Sequence, residues 1–218
     1  MRFETIITAC LLALSIVSLS SAAYAGGHRP QGYGFNPAIC GRLNIEPGVS
    51  QPLGDASVDK TGCHVRMAHG YPLPDPKCTP GAINPTVTAD VLGNLDFSTE
   101  CIRNRVTTAR EKAVTYRWYG IRPPRHNHGR TQVCELDYLV PLKLGGADTL
   151  DNVWPQCGPK KGPIWKRSFR RKDLVENYLA KMVRDGKMQL WEAQRGIAKD
   201  WTQYLSAAKK ECVPGGCR

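Results

Sequence analysis

Cys134-Glu-Leu-Asp-Tyr-Leu-Val-Pro-Leu-Lys-Leu-Gly-Gly146, followed shortly by Asp151-Asn-Val-Trp-Pro-Gln156, is the stretch that decides how this chain reads. Residues 134 to 140 predict a strand. Pro141 suits its end, since proline has no N–H to give to a ladder. Gly145-Gly146 marks a turn, and Asn152 to Gln156 predicts a second strand. Beyond it, Leu174, Val175, Tyr178, Leu179, Met182 and Val183 recur at three- and four-residue spacings, which predicts a helix over Ile164 to Arg184 that ends at Asp185-Gly186. The order is strand, turn, strand, helix. Leu190 to Leu205 predicts a further helical segment with Trp191, Ile197, Trp201 and Leu205 on its buried side. Upstream, Thr108-Ala-Arg-Glu111 fits a capping box for a helix running to about Tyr119 and stopping at Gly120. Arg122-Pro-Pro then forces extended chain.

The chain has 218 residues, enough for one domain with a sizeable core plus extensions. Residues 1 to 25 are expected to be a signal peptide: a positive start at Arg2, an apolar run from Thr5 to Leu19, and a small-residue cleavage pattern ending at Ala25. That places the mature chain outside the cytoplasm, secreted or periplasmic, with no membrane span of its own. Residues 26 to 77 are Gly- and Pro-rich and predict irregular structure, with residues 26 to 34 flexible. The third region, 78 to 218, holds the strand–strand–helix stretch.

Beyond the expected signal the chain keeps eight cysteines: Cys40, Cys63, Cys78, Cys101, Cys134, Cys157, Cys212 and Cys217. An even number in an exported chain reads as four disulfides. The absence of any Cys-x-x-Cys spacing argues against zinc. Sequence leaves the connectivity open among about 105 pairings. The expectation taken here is sequential pairing, each neighbouring pair bracketing one local unit.

The formal net charge is +11, and it is unevenly spread. Residues 103 to 130 carry eight Lys/Arg against Glu111, and residues 160 to 172 carry seven and no acid. Between them lie Glu135, Asp137, Asp148 and Asp151 against Lys143. An acidic segment between two basic ones suits carboxylates that hold a cation beside Lys/Arg that hold phosphates.

From Cys78 to Leu205 the chain resembles small secreted bacterial proteins of the HNH-type (ββα-metal) nuclease superfamily. The resemblance rests on Pro80-Gly-Ala-Ile-Asn-Pro-Thr-Val-Thr, Ile121-Arg-Pro-Pro, Glu135-Leu-Asp, Leu142-Lys-Leu-Gly-Gly, Asn152-Val-Trp-Pro, Lys172-Asp-Leu-Val-Glu-Asn and Ala193-Gln-Arg-Gly-Ile-Ala-Lys-Asp-Trp. It implies an α+β fold built on a ββα-metal unit with additional helices, rich in disulfides, and metal-dependent hydrolysis of nucleic-acid phosphodiesters without strong sequence preference. It implies a divalent ion, Mg²⁺ or Mn²⁺, held by Asp137 with Asp173, Glu176 and Asn177 on the helix, and Asn152 orienting the base region. It also implies DNA or RNA as partner, and the two basic segments supply the cations expected to bind it: Arg122, Arg125, Lys166, Arg167, Arg170, Arg171 and Lys172.

Where the family carries its histidine base, this chain has Tyr138. A free tyrosine, with a pKa near 10, is phenolate to about 0.1 % at pH 7, roughly a thousandfold less available base than imidazole offers. A neighbouring cation could lower that pKa, Tyr138 could simply fill the space, or His126 or His128 could supply a base from a displaced position. Three expectations follow. The chain is a nuclease with altered activity, a non-catalytic nucleic-acid or polyanion-binding protein on the same scaffold, or a disulfide-rich structural or inhibitory protein.

Overall fold

The computed structural model describes residues 36–55, 60–104, 106, 109–212 and 217. The signal peptide, the flexible stretch over 26 to 34 and the Thr108 cap, all expected from the sequence, lie outside the described residues. The fold is α+β, with small two-stranded sheets among helices. In chain order, α1 is Pro37–Arg42, β1 Gln51–Pro52, β2 Arg66–Ala68, β3 Tyr71–Leu73, β4 Ala82–Ile83, α2 Ala89–Gly93, α3 Ala109–Lys112 and α4 Val114–Trp118. Then come β5 Cys134–Tyr138, β6 Val153–Cys157, α5 Ser168–Arg184, α6 Leu190–Asp200 and α7 Leu205–Cys212.

The two strands expected from the central stretch form an antiparallel pair, with Cys134 opposite Cys157, Asp137 opposite Trp154 and Tyr138 opposite Val153. The connection between them is clamped by Asn152, which is fully buried. Its Oδ1 accepts from the Val140 N–H at 2.8 Å, and its Nδ2 donates to the Val140 and Ala147 carbonyls, each at 2.8 Å. Gly146 is required here by close approach: a Cβ on it would lie 1.8 Å from the Val140 carbonyl oxygen. Gly145 supplies the left-handed turn at φ +72°.

The expected helix over 164 to 184 is broken near its start. Ile164–Lys166 form a single 3₁₀ turn, Arg167 is extended at ψ 145°, and α5 begins at Ser168. Val175, Leu179 and Val183 of α5 pack with Ile197, Trp201, Leu205 and Ala208 into the main core. The helical segment after 190 is longer than expected and changes form midway, through a 3₁₀ turn at Trp201–Tyr204 into α7. Trp191 is not on its buried side and is 62 % exposed. Ala193 and Ile197 define the buried stripe, and a residue six positions before Ile197 falls on the opposite flank of a helix. The helix expected between Thr108 and Tyr119 is two short ones, α3 and α4, offset at Ala113.

Four disulfides form, but not in sequential order. Cys134–Cys157 and Cys212–Cys217 pair as expected, whereas Cys40 pairs with Cys101 and Cys63 with Cys78, one bridge nested inside the other. The reason is tertiary: β1 pairs antiparallel with β4, Gln51 opposite Ile83 and Pro52 opposite Ala82, so the chain before β1 meets the segment after β4. The Gly/Pro-rich region is therefore ordered in part, with the β2–β3 hairpin set against the core where Tyr71 meets Trp201 edge-on at 5.2 Å. Among the described residues, no helix is long and apolar enough to cross a membrane. The disulfides suit an oxidising compartment.

Candidate functional site

Glu135 and Asp137 on β5 and Asp173 and Glu176 on α5 line one cavity of about 380 Å³, together with Arg103, Lys112, Tyr138 and Lys143. Lys172 lies behind this wall, with 0 % of its side chain exposed. Its ammonium donates to the Tyr138 carbonyl at 2.6 Å and Glu176 Oε1 at 2.7 Å and lies 2.9 Å from Asp137 Oδ2. The Asp137 contact is close but off-line. It is an ion pair rather than a directed hydrogen bond, and Asp137 Oδ2 has no aligned donor. Lys143 approaches the other oxygen of Glu176 at 3.6 Å.

The charges explain opposing tendencies in this group. Burial alone would lower the Lys172 pKa, but Asp137 and Glu176 outweigh it and hold the ammonium above the ordinary lysine value. Burial pushes the Asp137 carboxyl upward, more than Lys172 pulls it back, and Glu176 adds to the rise. The two directions agree once the arrangement is seen as one ammonium between two buried carboxylates. Its attraction is shared between them and offsets only part of the cost of burying Asp137. Glu135 and Asp173 are also raised, by burial first and then by neighbouring carboxylates.

Tyr138 is held as a neutral phenol. Its hydroxyl donates to Asp148 Oδ1 at 2.8 Å and accepts from Lys112 Nζ at 3.0 Å and Arg103 at 3.3 Å. Lys112 also pairs with Asp148 at 2.6 Å. Burial raises the Tyr138 pKa well above the ordinary tyrosine value. Asp148 raises it further, by its charge and by accepting the proton, and the Arg103 cation recovers only part. The phenol is thus a poor base, and it joins β5 to Asp148 and to the segment carrying Arg103 and Lys112. His128 and His126 are exposed and do not line the cavity. Asn152, expected beside the base, spends its amide on backbone, bonding Val140 and Ala147 and also accepting from the Ala82 N–H at 3.3 Å.

The four side chains expected to hold a divalent ion are near one another but engaged. Asp137 and Glu176 face Lys172, Asp173 pairs with Arg170 at 3.0 Å, and Asn177 accepts from Lys143 at 2.7 Å. Among the described residues, no group of three or more His, Cys, Asp or Glu side chains converges as a metal site. Mg²⁺ and Mn²⁺ need several oxygens in a tight shell, and an ammonium between the two best-placed carboxylates both occupies that space and repels a cation. The residues present do not fit the ion.

The cations expected to meet nucleic acid divide into a buried set and a groove-lining set, with Arg170 in neither, since it pairs with Asp173 at 3.0 Å. Arg167 and Lys172 are buried and serve the fold. Arg167 caps the turn before α5 by donating to the Gln132 and Lys161 carbonyls, each at 3.0 Å, and to that of Pro159. Lys172 is committed as described. The helical phase carried a signal for it, since Lys172 stands three, four and seven residues before Val175, Glu176 and Leu179, on the core-facing stripe. Arg122 and Arg125 line a groove of about 690 Å³ with Lys160, over an apolar floor that includes Ile121, Pro124 and Val133. Lys166 and Arg171 line a second groove, of about 610 Å³, with His69, Met67 and Tyr71. Both grooves include Cys157 and Gly158, so they adjoin at the disulfide-closed end of the β5–β6 pair, and neither is lined by a carboxylate. Beside the second, Trp165 is 56 % exposed with Lys166 and Arg171 against its ring at 5.2 and 5.3 Å. Lys160 belongs to the basic run over 160 to 172, and its charge is its only mark in sequence; Trp165 and His69 carry no local pattern that marks them.

Comparison of the chain with protein families, with curated proteins and with solved structures finds no match.

Proposed function

We propose that this protein binds nucleic acid, or a polyanion of like charge spacing, without hydrolysing it. One observation carries the reading: two adjoining grooves lined by five Lys/Arg and no carboxylate. Arg122, Arg125, Lys160, Lys166 and Arg171 are spread along a surface with apolar patches between them, which suits a phosphate chain bearing flat apolar bases. Trp165 between two cations extends that surface. The resemblance of the sequence to HNH-type nucleases is consistent with a scaffold that meets phosphodiesters. The neutral, pinned Tyr138 and the lysine between Asp137 and Glu176 speak against turnover by it.

The test is fluorescence anisotropy of labelled DNA and RNA with the full chain across a salt series. If five phosphates are neutralised, log K falls against log salt with a slope of about −4. Reversing charge at Arg122, Arg125 and Lys160 should weaken binding far more than the same change at Lys181, Lys187 and Lys209. Binding that ignores salt, or equal loss in both triple variants, rejects the reading. Cleavage in Mg²⁺ or Mn²⁺ would restore the hydrolytic alternative.

A further inference from the structure

We infer that Lys172 is the built-in cation of the Asp137–Glu176 pocket, and that this pocket takes no divalent ion while the lysine is in place. Three observations carry it, none of which needs the nucleic-acid reading. The ammonium is wholly buried and stands within 2.9 Å of oxygens from three different residues, on both β5 and α5. It is the only cation within ion-pair distance of Asp137 among the described residues, and Asp137 Oδ2 is buried with no aligned donor of its own. On Glu176 a second cation, Lys143, completes the compensation from the solvent side and is itself fixed by Asn177.

Lys172 thus does for the strand–helix junction what a structural metal ion would do. It gathers two carboxylates and a backbone carbonyl around one positive centre. The ammonium brings directed hydrogens and no Lewis acidity, so it holds the carboxylates together without activating a water for attack on a phosphate. The converse is a property of the chain itself: taking the ammonium away leaves Asp137 and Glu176 facing one another, with Glu135 and Asp173 lining the same cavity. Those two carboxylates, with no third acidic group converging on them among the described residues, would give a hard divalent cation a partial shell that water completes.

The experiment titrates Mn²⁺, without nucleic acid, into the full wild-type chain and into Lys172→Ala, followed by calorimetry and by loss of the free Mn²⁺ electron-spin resonance signal. The wild type should show no saturable site. Lys172→Ala should bind at least about tenfold more tightly than the wild type, and the double variant with Asp137→Asn should lose the gain. Folding of each variant is checked by circular dichroism. Saturable Mn²⁺ binding to the wild type that Asp137→Asn removes overturns the inference, as does a folded Lys172→Ala with no gain. Should Lys172→Ala not fold, the wild type still decides, through acetylation of its lysines with and without Mn²⁺. Lys172 should stay unmodified in both while surface lysines react. Exposure of Lys172 to the reagent on adding Mn²⁺ would show the ion displacing it and would overturn the inference.

Discussion

Tyr138 keeps its proton because burial and Asp148 both oppose the phenolate, and that one residue governs how the pocket can act. Tyr138→Phe should leave any activity unchanged and cost about 1–2 kcal/mol in urea unfolding, since Asp148 loses a donor while keeping Lys112. Tyr138→His would place an imidazole at neutral pH, yet it should produce no cleavage of DNA in Mg²⁺ or Mn²⁺, because Lys172 still stands between Asp137 and Glu176. Strong metal-dependent cleavage by that variant in a plasmid-nicking assay would contradict this. Burial also pushes the Tyr119 phenol up, to about 12, against the hydrogen bond with Thr79. The sign follows from proton binding. Between about pH 10 and 12 the folded chain keeps a proton that the unfolded chain releases. The associated stability is complete below about pH 10 and is lost as pH rises towards 12. Lys172, also raised, acts in the same direction. Thermal unfolding from pH 8 to 12 should fall more steeply in the wild type than in Tyr119→Phe.

At the scale of elements, polar contacts link α5 to the β5–β6 pair: Lys172 meets the Tyr138 carbonyl and Asp137, and the Ser168 hydroxyl donates to the Cys157 carbonyl. The connection between the strands depends on one amide. Asn152→Ala removes the bonds to Val140 and Ala147 and leaves buried backbone groups unpaired, so it should cost about 3 kcal/mol in urea unfolding. A cost under about 0.5 kcal/mol would show that the loop is held by other means. The strand-turn-strand-helix order was legible because period-2 and period-3.6 patterns are local. The break at Arg167 was not, because it depends on carbonyls of Gln132 and Lys161 that the guanidinium meets only after folding.

Across the whole molecule, disulfides tie segments distant in sequence. Cys40–Cys101 spans 61 residues and Cys212–Cys217 spans 5. On loop entropy alone, removing the first by a double Ser substitution should cost about 4 kcal/mol and removing the second about 2. Urea unfolding of the two variants measures the difference. Equal losses would show that native contacts, and not the closed loop, set their value.

The amino-acid sequence by itself determined that this chain builds a strand pair followed by a long amphipathic helix, that its cysteines are paired, and that its charge lies in two basic runs around an acidic one. Each of these depends on neighbours in the chain or on simple counts. Only the tertiary structure decided which cations reach the surface and which cysteines meet. Arg167 and Lys172 look like their basic neighbours in sequence, yet helix phase and the approach of β5 bury them. Arg122, Arg125 and Lys160 line one groove and Lys166 and Arg171 the next, and the two adjoin at Cys157 and Gly158 beside the Cys134–Cys157 bridge, an adjacency set by folding. The pocket's character was decided the same way. Four carboxylates can be counted along a chain, but a lysine set among them appears only when strand and helix pack, because charge compensation depends on distance in space and not on order in sequence.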